Sequence, residues 1–101
     1  MQRVPIIVKH YQRYLEEQDT AAFAQSVARR YSCTALERLM SMSDRVARRA
    51  AALALGILGD YANNTVLGRA LVDRDRGVRT IAENGISEIW CRVGSREQRL
   101  A

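Results

Sequence analysis

The chain has 101 residues, of which 48% are hydrophobic and 27% are charged. This length suits one domain, the composition excludes a disordered chain, and a single proline leaves long stretches free to form helix. The net charge of +5 suits an acidic partner or nucleic acid. However, Lys9 is the only lysine among 16 basic residues, and a GC-rich genome produces the same excess of arginine, so the charge alone assigns no function.

Few residues are available for catalysis or metal binding. Cys33 and Cys91 lie far apart, and His10 is the only histidine. These three residues fit neither a disulfide framework nor a metal site, and no candidate nucleophile lies near the histidine. The N-terminus lacks the apolar core of a signal peptide, and no apolar run is long enough to span a membrane. We therefore expect a cytoplasmic protein that is not an enzyme, with reduced thiols and without a metal or cofactor.

Residues 1–32 are predicted to form an N-terminal pair of helices, near 7–17 and 20–31. Asp19 is placed to cap the second helix, and apolar residues recur at helical spacing in both. These apolar positions are Ile7, Val8, Tyr11, Tyr14 and Leu15, followed by Phe23, Val27 and Tyr31. We expect the pair to cover one end of the remaining structure as a cap.

Residues 33–94 contain an internal repeat, in which 33–63 aligns with 64–94 without a gap. The alignment gives seven identical positions, where chance would give about two. The sequence therefore predicts two copies of one structural unit. The identical pairs are Thr34/Thr65, Leu36/Leu67, Arg38/Arg69, Asp44/Asp75, Arg45/Arg76, Arg48/Arg79 and Ala51/Ala82.

The first unit is predicted to contain helices at 33–42 and 44–59. Thr34 and the glutamate three residues later match a capping box, so Thr34 is the expected cap of the first helix. Asp44, or the serine before it, is expected to cap the second. Gly59 should end that helix in the left-handed conformation that glycine adopts readily.

The second unit is predicted to contain helices at 64–73 and 75–92. Thr65, or the asparagine before it, should open the first helix, and Asp75 should cap the second. Gly94 is expected to end the second helix. Ser95 and the glutamine three residues later match another capping box, so 95–101 is predicted to be a tail or the start of a further helix.

The second helix of each unit carries an apolar stripe with small residues in its middle. The spacing of i, i+4, i+7, i+8 and i+11 places each stripe along one helix face, and small residues allow close helix packing. The stripe is Ala47, Ala51, Ala54, Leu55 and Leu58 in the first unit, and Val78, Ala82, Gly85, Ile86 and Ile89 in the second.

The run 44–60, DRVARRAAALALGILGD, resembles the second helix of bacterial HEAT-like repeats, of the variety first described in phycobilisome lyases. The segment 75–79, DRGVR, followed by Ala82 and Ile86, is similar to it. The resemblance covers 33–94. It implies an all-α fold, a short right-handed α-solenoid of helix-turn-helix repeats, with the N-terminal helices as a capping pair.

An aspartate and an arginine four residues later recur in both units, as Asp44/Arg48 and Asp75/Arg79. An aspartate at this position caps a helix, and the arginine can pair with it or with the neighbouring repeat. Such a ladder is common architecture in HEAT-like proteins, so the resemblance favours a structural role for these residues over a chemical one.

The arginines also suggest a binding surface. In a solenoid the second helices lie side by side, which would bring Arg45, Arg48, Arg49, Arg76 and Arg79 to one surface. HEAT-like DNA glycosylases bind DNA on such a surface. No aromatic residues interleave with these arginines, and a solvated helical face is the other interpretation.

Trp90 stands where the first unit has Gly59. We predict that it is partly exposed and contacts downstream residues or a partner, although a tryptophan can also fold into the core of its own unit.

The predicted function is a non-catalytic scaffold that binds another protein, a downstream domain of the same chain, or a second copy. Nucleic-acid binding through the arginine face is the alternative, and an accessory role beside a cofactor-bearing protein rests on the resemblance alone.

Overall fold

The computed structural model describes the backbone of residues 4–100 and the side chains of residues 4–93. Within this part of the chain there is no strand, and the predicted all-α class is confirmed. The helices are α1 (Ile6–Glu17), α2 (Thr20–Ala28), α3 (Cys33–Leu39), α4 (Arg45–Leu58), α5 (Asn64–Ala70) and α6 (Arg76–Leu100), with a 3-10 turn at Tyr61–Asn63 before α5.

The helices begin at the positions that the repeat in the sequence predicts. Helices α3 and α5 have seven residues each and begin at Cys33 and Asn64, which are the first positions of the two aligned units. Helices α4 and α6 begin at Arg45 and Arg76, which are also aligned with each other. The repeated sequence therefore forms the same pair of helices twice.

The first helix of each pair is capped upstream of the threonine that the sequence suggested. The Ser32 hydroxyl accepts a hydrogen bond from the Ala35 amide at 3.1 Å, so Thr34 lies inside α3 and is not its cap. Thr65 is likewise inside α5. The cap before α5 belongs to the 3-10 turn, where Asp60 accepts from the Ala62 amide at 3.0 Å.

The second helices begin at the two aspartates. Asp44 accepts a hydrogen bond from the Val46 amide at 2.9 Å at the start of α4. Asp75 accepts from the Val78 amide at 3.0 Å at the start of α6. Both carboxylates thus satisfy amides of the first helical turn, which have no partner within the helix.

Gly59 ends α4, but not in the predicted left-handed conformation. Its φ of −80° and ψ of 176° are those of extended backbone, which other residues also adopt. The reason for a glycine is space. A Cβ on Gly59 would lie 2.5 Å from the Leu55 carbonyl oxygen and 2.7 Å from Oδ1 of Asn63.

Helix α6 does not end at Gly94. It continues to Leu100, so Ser95 begins no further helix, and the predicted boundary between 33–94 and 95–101 is not a break in secondary structure. Gly94 does not end the helix, because one internal glycine costs a helix only about 1 kcal/mol. The capping-box residues at 95–98 begin no new helix, because a capping box acts only where backbone amides lack partners. Despite the 25 residues of α6, no helix in the described part of the chain is both long and apolar enough to cross a membrane.

Helix α4 lies at the centre of the molecule and contacts α1, α2, α3, α5 and α6. Its alanine-rich faces are buried on more than one side, while Leu36, Leu67 and Ile89 fill the layer between the repeated helices. The N-terminal pair covers α4 through Ile7, Val8, Tyr11, Phe23 and Val27, all buried. Leu15 is the exception in the predicted stripe, because it remains exposed.

The most extensive helix contact is between α4 and α6. The two backbones meet at Gly56 and Gly85, which both lie buried within their helices. A Cβ on Gly56 would lie 2.7 Å from the Cα of Gly85, and a Cβ on Gly85 would lie 3.1 Å from the Cα of Gly56. The small residues therefore permit the close packing of α4 and α6 that the sequence predicts, and Gly56 is a further small residue at this contact.

We expect Gly56→Ala to lower the free energy of unfolding by about 1–3 kcal/mol, because the methyl group meets backbone that cannot move alone. Gly68→Ala is the matched control. Gly68 lies in α5 with open space around it, so the same change should stabilise the protein by about 0.5–1 kcal/mol through helix propensity. Urea denaturation measures both values. Equal effects of the two substitutions would contradict the proposed backbone contact.

Candidate functional site

An ion pair of low exposure joins α4 to the loop before α6. Nε and Nη2 of Arg48 donate to the two carboxylate oxygens of Asp73 at 2.9 and 3.0 Å. Nη1 of Arg48 donates to the carbonyl oxygens of Met42 and Ser43 at 2.9 and 2.8 Å. Arg48 is only 6% exposed. Four of the five N–H groups of its guanidinium are thereby satisfied, which makes burial of this charge tolerable.

A second pair lies beside the first. Nε and Nη2 of Arg49 donate to Asp75 at 2.6 and 2.8 Å, while the same carboxylate caps α6. The hydrogen bonds from Arg49 hold the pKa of Asp75 well below its usual range. Tyr11 of α1 lies near both charges, and burial raises the pKa of its hydroxyl. This pair therefore connects α4 to the start of α6.

Arg79 makes half of the contacts that Arg48 makes. Its Nη1 donates to the carbonyl oxygens of Asp73 and Arg74 at 2.8 and 3.3 Å. In the aligned repeat these carbonyls correspond to those of Met42 and Ser43, which Arg48 binds. The repeat is thus visible in individual hydrogen bonds as well as in helix bounds.

The sequence left two possible partners for Arg48, Asp44 of its own unit or a residue of the neighbouring repeat, and the structure shows the second. Arg48 does not pair with Asp44, four residues earlier, but with Asp73 of the following unit. Asp73 was missed because the aligned position of the first unit is Met42 and because it lies upstream of its helix. The alternating order of acid and base at 73–76 is the only signal that could have indicated it.

The structure divides the five arginines predicted to form one surface. Arg48 and Arg49 are engaged with carboxylates, whereas Arg45, Arg76 and Arg79 are exposed. Sequence reasoning also missed an exposed arginine, Arg74, which occupies the place of Ser43 in the first unit and so lies outside the repeated pattern. The free positive charge of this region is therefore concentrated at the loops that precede α4 and α6.

Trp90 is 53% exposed, as the sequence predicts, and stands on α6 against Tyr61. The two ring centroids are 5.1 Å apart and the ring planes are 85° apart, an edge-to-face arrangement. Tyr61 is itself 54% exposed. The two aromatic rings thus support each other without being removed from solvent.

Several hydrogen bonds hold the segment that carries Tyr61. The Asp60 amide donates to Oδ1 of Asn63 at 2.9 Å, and Nδ2 of that asparagine donates to Glu37 of α3 at 3.1 Å. Nη2 of Arg92 donates to the Gly59 carbonyl oxygen at 2.9 Å, which ties α6 to the end of α4. These hydrogen bonds therefore fix the segment that carries Tyr61 against α3 and α6.

A separate groove of ≈ 310 Å³ runs between α1 and α6 above α4. Leu15 of α1 and Ile81 and Glu88 of α6 lie along it, so this face of α6 is not fully covered in the described structure. It combines apolar side chains with one carboxylate.

The cysteines and the histidine are dispersed. Burial raises the pKa of the Cys33 thiol, whose Sγ lies 3.9 Å from the Leu58 carbonyl oxygen. Cys91 is exposed and unpaired. Among the described residues, no three His, Cys, Asp or Glu side chains come together as they would to hold a metal ion.

Comparison with known proteins adds no relative. No family model matches the chain, and neither a curated protein nor a solved structure is significantly similar to it.

We expect Arg48→Met to lower the free energy of unfolding by about 3–5 kcal/mol, because it leaves the Asp73 carboxylate and two carbonyl groups without their donor. Arg13→Met is the control. Arg13 pairs with Glu17 on the surface of α1, where both side chains are largely exposed, so its loss should cost less than about 1 kcal/mol. Similar urea midpoints for the two variants would contradict the structural importance of the Arg48 pair.

The Asp73 carboxylate should make stability depend on pH. Burial raises the pKa of Asp73, but hydrogen bonds from Arg48 and from the Asp75 amide outweigh burial, and the pKa is lowered from 3.8. Because the folded pKa is the lower one, the unfolded chain binds protons more readily. The stabilisation is complete above about pH 5 and is lost as the pH falls through the folded pKa.

Asp73→Asn should therefore be less stable than the unmodified chain at pH 7, with a difference that shrinks as the pH is lowered from about 5 to about 2. Urea denaturation at intervals of pH measures this difference. A constant difference over that range would show that the carboxylate charge of Asp73 is not responsible.

Proposed function

We propose that the chain is a non-catalytic HEAT-like repeat scaffold that binds another protein, with the Tyr61–Trp90 pair at the centre of its binding surface. The observation that carries this proposal is a supported aromatic pair in which both rings are more than half exposed.

The repeated hydrogen bonds support the architectural part of the proposal. Arg48 and Arg79, which are aligned with each other, bind loop carbonyls at aligned positions, and the helices of the two units begin at aligned positions. Units that use the same contacts can stack in the same way. We propose that 33–63 and 64–94 stack as a short right-handed α-solenoid, with α1 and α2 as its N-terminal cap.

The chemistry of the aromatic pair favours a protein partner. Tryptophan and tyrosine are the residues that most often dominate the energy of protein interfaces, and arginine is the third. Arg92 lies on the same helix as Trp90 and is bound to the carbonyl of Gly59 next to the segment of Tyr61. A surface whose side chains are already held in place loses little conformational entropy on binding.

Nucleic-acid binding through the repeat arginines has weaker support. Arg48 and Arg49 each bind a carboxylate in two places, so their charges are not free to neutralise phosphates. Neither arginine belongs to the exposed Tyr61–Trp90 pair on which the proposal rests. A protein, whether another chain, a downstream domain or a second copy, is therefore the partner that we propose.

Trp90 is the only tryptophan, so its fluorescence reports on this surface alone. Proteins captured by the chain would be identified, purified and titrated against it. We expect the emission of Trp90 to move to shorter wavelength on binding, and Trp90→Ala to weaken binding by about ten-fold or more. Val72→Ala removes another exposed apolar side chain and is the matched control, with an expected change below about two-fold.

Sedimentation of the chain alone identifies the case in which the partner is a second copy. Self-association that Trp90→Ala abolishes would then support the same surface. An unchanged Trp90 emission in a saturated complex, or equal binding by Trp90→Ala and Val72→Ala, would contradict the proposal.

A further inference from the structure

The loops that precede α4 and α6 form an open cleft of ≈ 320 Å³. It is lined by Ser43, Arg45, Arg48, Arg74 and Asp75. Three guanidinium groups from two different parts of the chain therefore border one space, although only one of them is engaged in structural hydrogen bonds. This cleft is on the opposite end of α4 from Gly59 and the aromatic pair.

The carboxylates near this cleft are already compensated. Asp73 is bound by Arg48, and Asp75 by Arg49, with two hydrogen bonds in each pair. Within the described part of the chain, the side chains of Arg45 and Arg74 form neither a salt bridge nor a hydrogen bond, and both are exposed. Their two charges are thus available to a ligand.

Further positive charge lies close by. Arg79 is bound to the carbonyl oxygens of Asp73 and Arg74 and not to a carboxylate, and Arg76 is exposed at the start of α6. Asp44, which caps α4, is the remaining acid at these loops. The region therefore keeps a positive potential that attracts anions over a distance of about 10 Å.

We propose that this cleft binds a phosphate group, held by Arg45 and Arg74 and completed by the Ser43 hydroxyl. Guanidinium groups match phosphate oxygens with parallel N–H donors, and several oxygens allow one phosphate to be bound from two sides. Arg48 also lines the cleft, where the ion pair with Asp73 holds its position.

Among the described residues no aromatic side chain lines the cleft, so this part of the chain gives it no surface on which a base could stack. Recognition is therefore directed to the phosphate itself. The phosphate can come from a small molecule or from the backbone of a nucleic acid, and these two sources differ in how binding depends on salt.

The experiment compares binding of inorganic pyrophosphate, by calorimetry, and of a fluorescent single-stranded oligonucleotide, by anisotropy, at low ionic strength. The double variant Arg45→Gln/Arg74→Gln should bind both probes at least about ten-fold more weakly. The control, Arg29→Gln/Arg30→Gln, removes the same charge from the exposed end of α2 and should change binding by less than about three-fold. Thermal unfolding checks that both variants fold.

The two probes distinguish the two possible sources of the phosphate group. Pyrophosphate binding equal to or tighter than that of the oligonucleotide indicates a small phosphate ligand. Tighter oligonucleotide binding, with a logarithmic salt slope of about −2 to −3, indicates a nucleic-acid backbone. Either result supports the site.

Equal losses in the two double variants would overturn the proposal, because binding would then follow net charge alone. Failure of the unmodified chain to bind either probe at low salt would also overturn it. The outcome is separate from the proposed protein binding, since Arg45→Gln/Arg74→Gln leaves the Tyr61–Trp90 surface intact.

Discussion

The close approach of α4 and α6 is the constraint on which the rest of the structure depends. With a glycine on each helix at the crossing, the backbones come within a distance that a Cβ on Gly56 would prevent and a Cβ on Gly85 would crowd. This approach brings the start of α4 beside the loop before α6, where a long arginine side chain can reach a carboxylate of the other unit. The same packing buries the alanines of α4, whose small volume would leave voids between more distant helices.

The ion pairs at the start of these helices make that packing specific. Apolar contacts alone permit one helix to slide along another, because many small side chains offer similar surfaces. Arg48 fits only where it meets Asp73 and two loop carbonyls together, since any displacement would leave a charge of low exposure without partners. The pairs also neutralise two of the arginines, so the remaining arginines of this region are those in the first turns of α4 and α6 and in the loop before α6.

The sequence predicted what depends on local pattern and failed where the outcome depends on distant contacts. The six helices follow from apolar spacing and from the repeat, and the aspartate caps follow from residue type. The misplaced caps at Thr34 and Thr65 arose because a residue of capping type was available inside each segment, downstream of its true beginning. The sequence allowed Arg48 to pair with the neighbouring repeat but did not identify Asp73 as the partner, because the two residues are far apart in the chain and no local rule relates them. Arg74 was missed for a similar reason, since it departs from the repeat.

The two units differ most where their second helices would end. In the first, α4 stops at Gly59, the Leu58 carbonyl is freed from the helix, and the thiol of Cys33 lies against it. In the second, Trp90 replaces the glycine and α6 continues, so the corresponding carbonyl stays within the helix. Asn64, which stands in the place of Cys33, has a buried side-chain amide with no partner among the described residues. The exposed indole of Trp90 thus lies where the first unit ends its helix, and the two units differ at this end both in helix length and in the surface that they present.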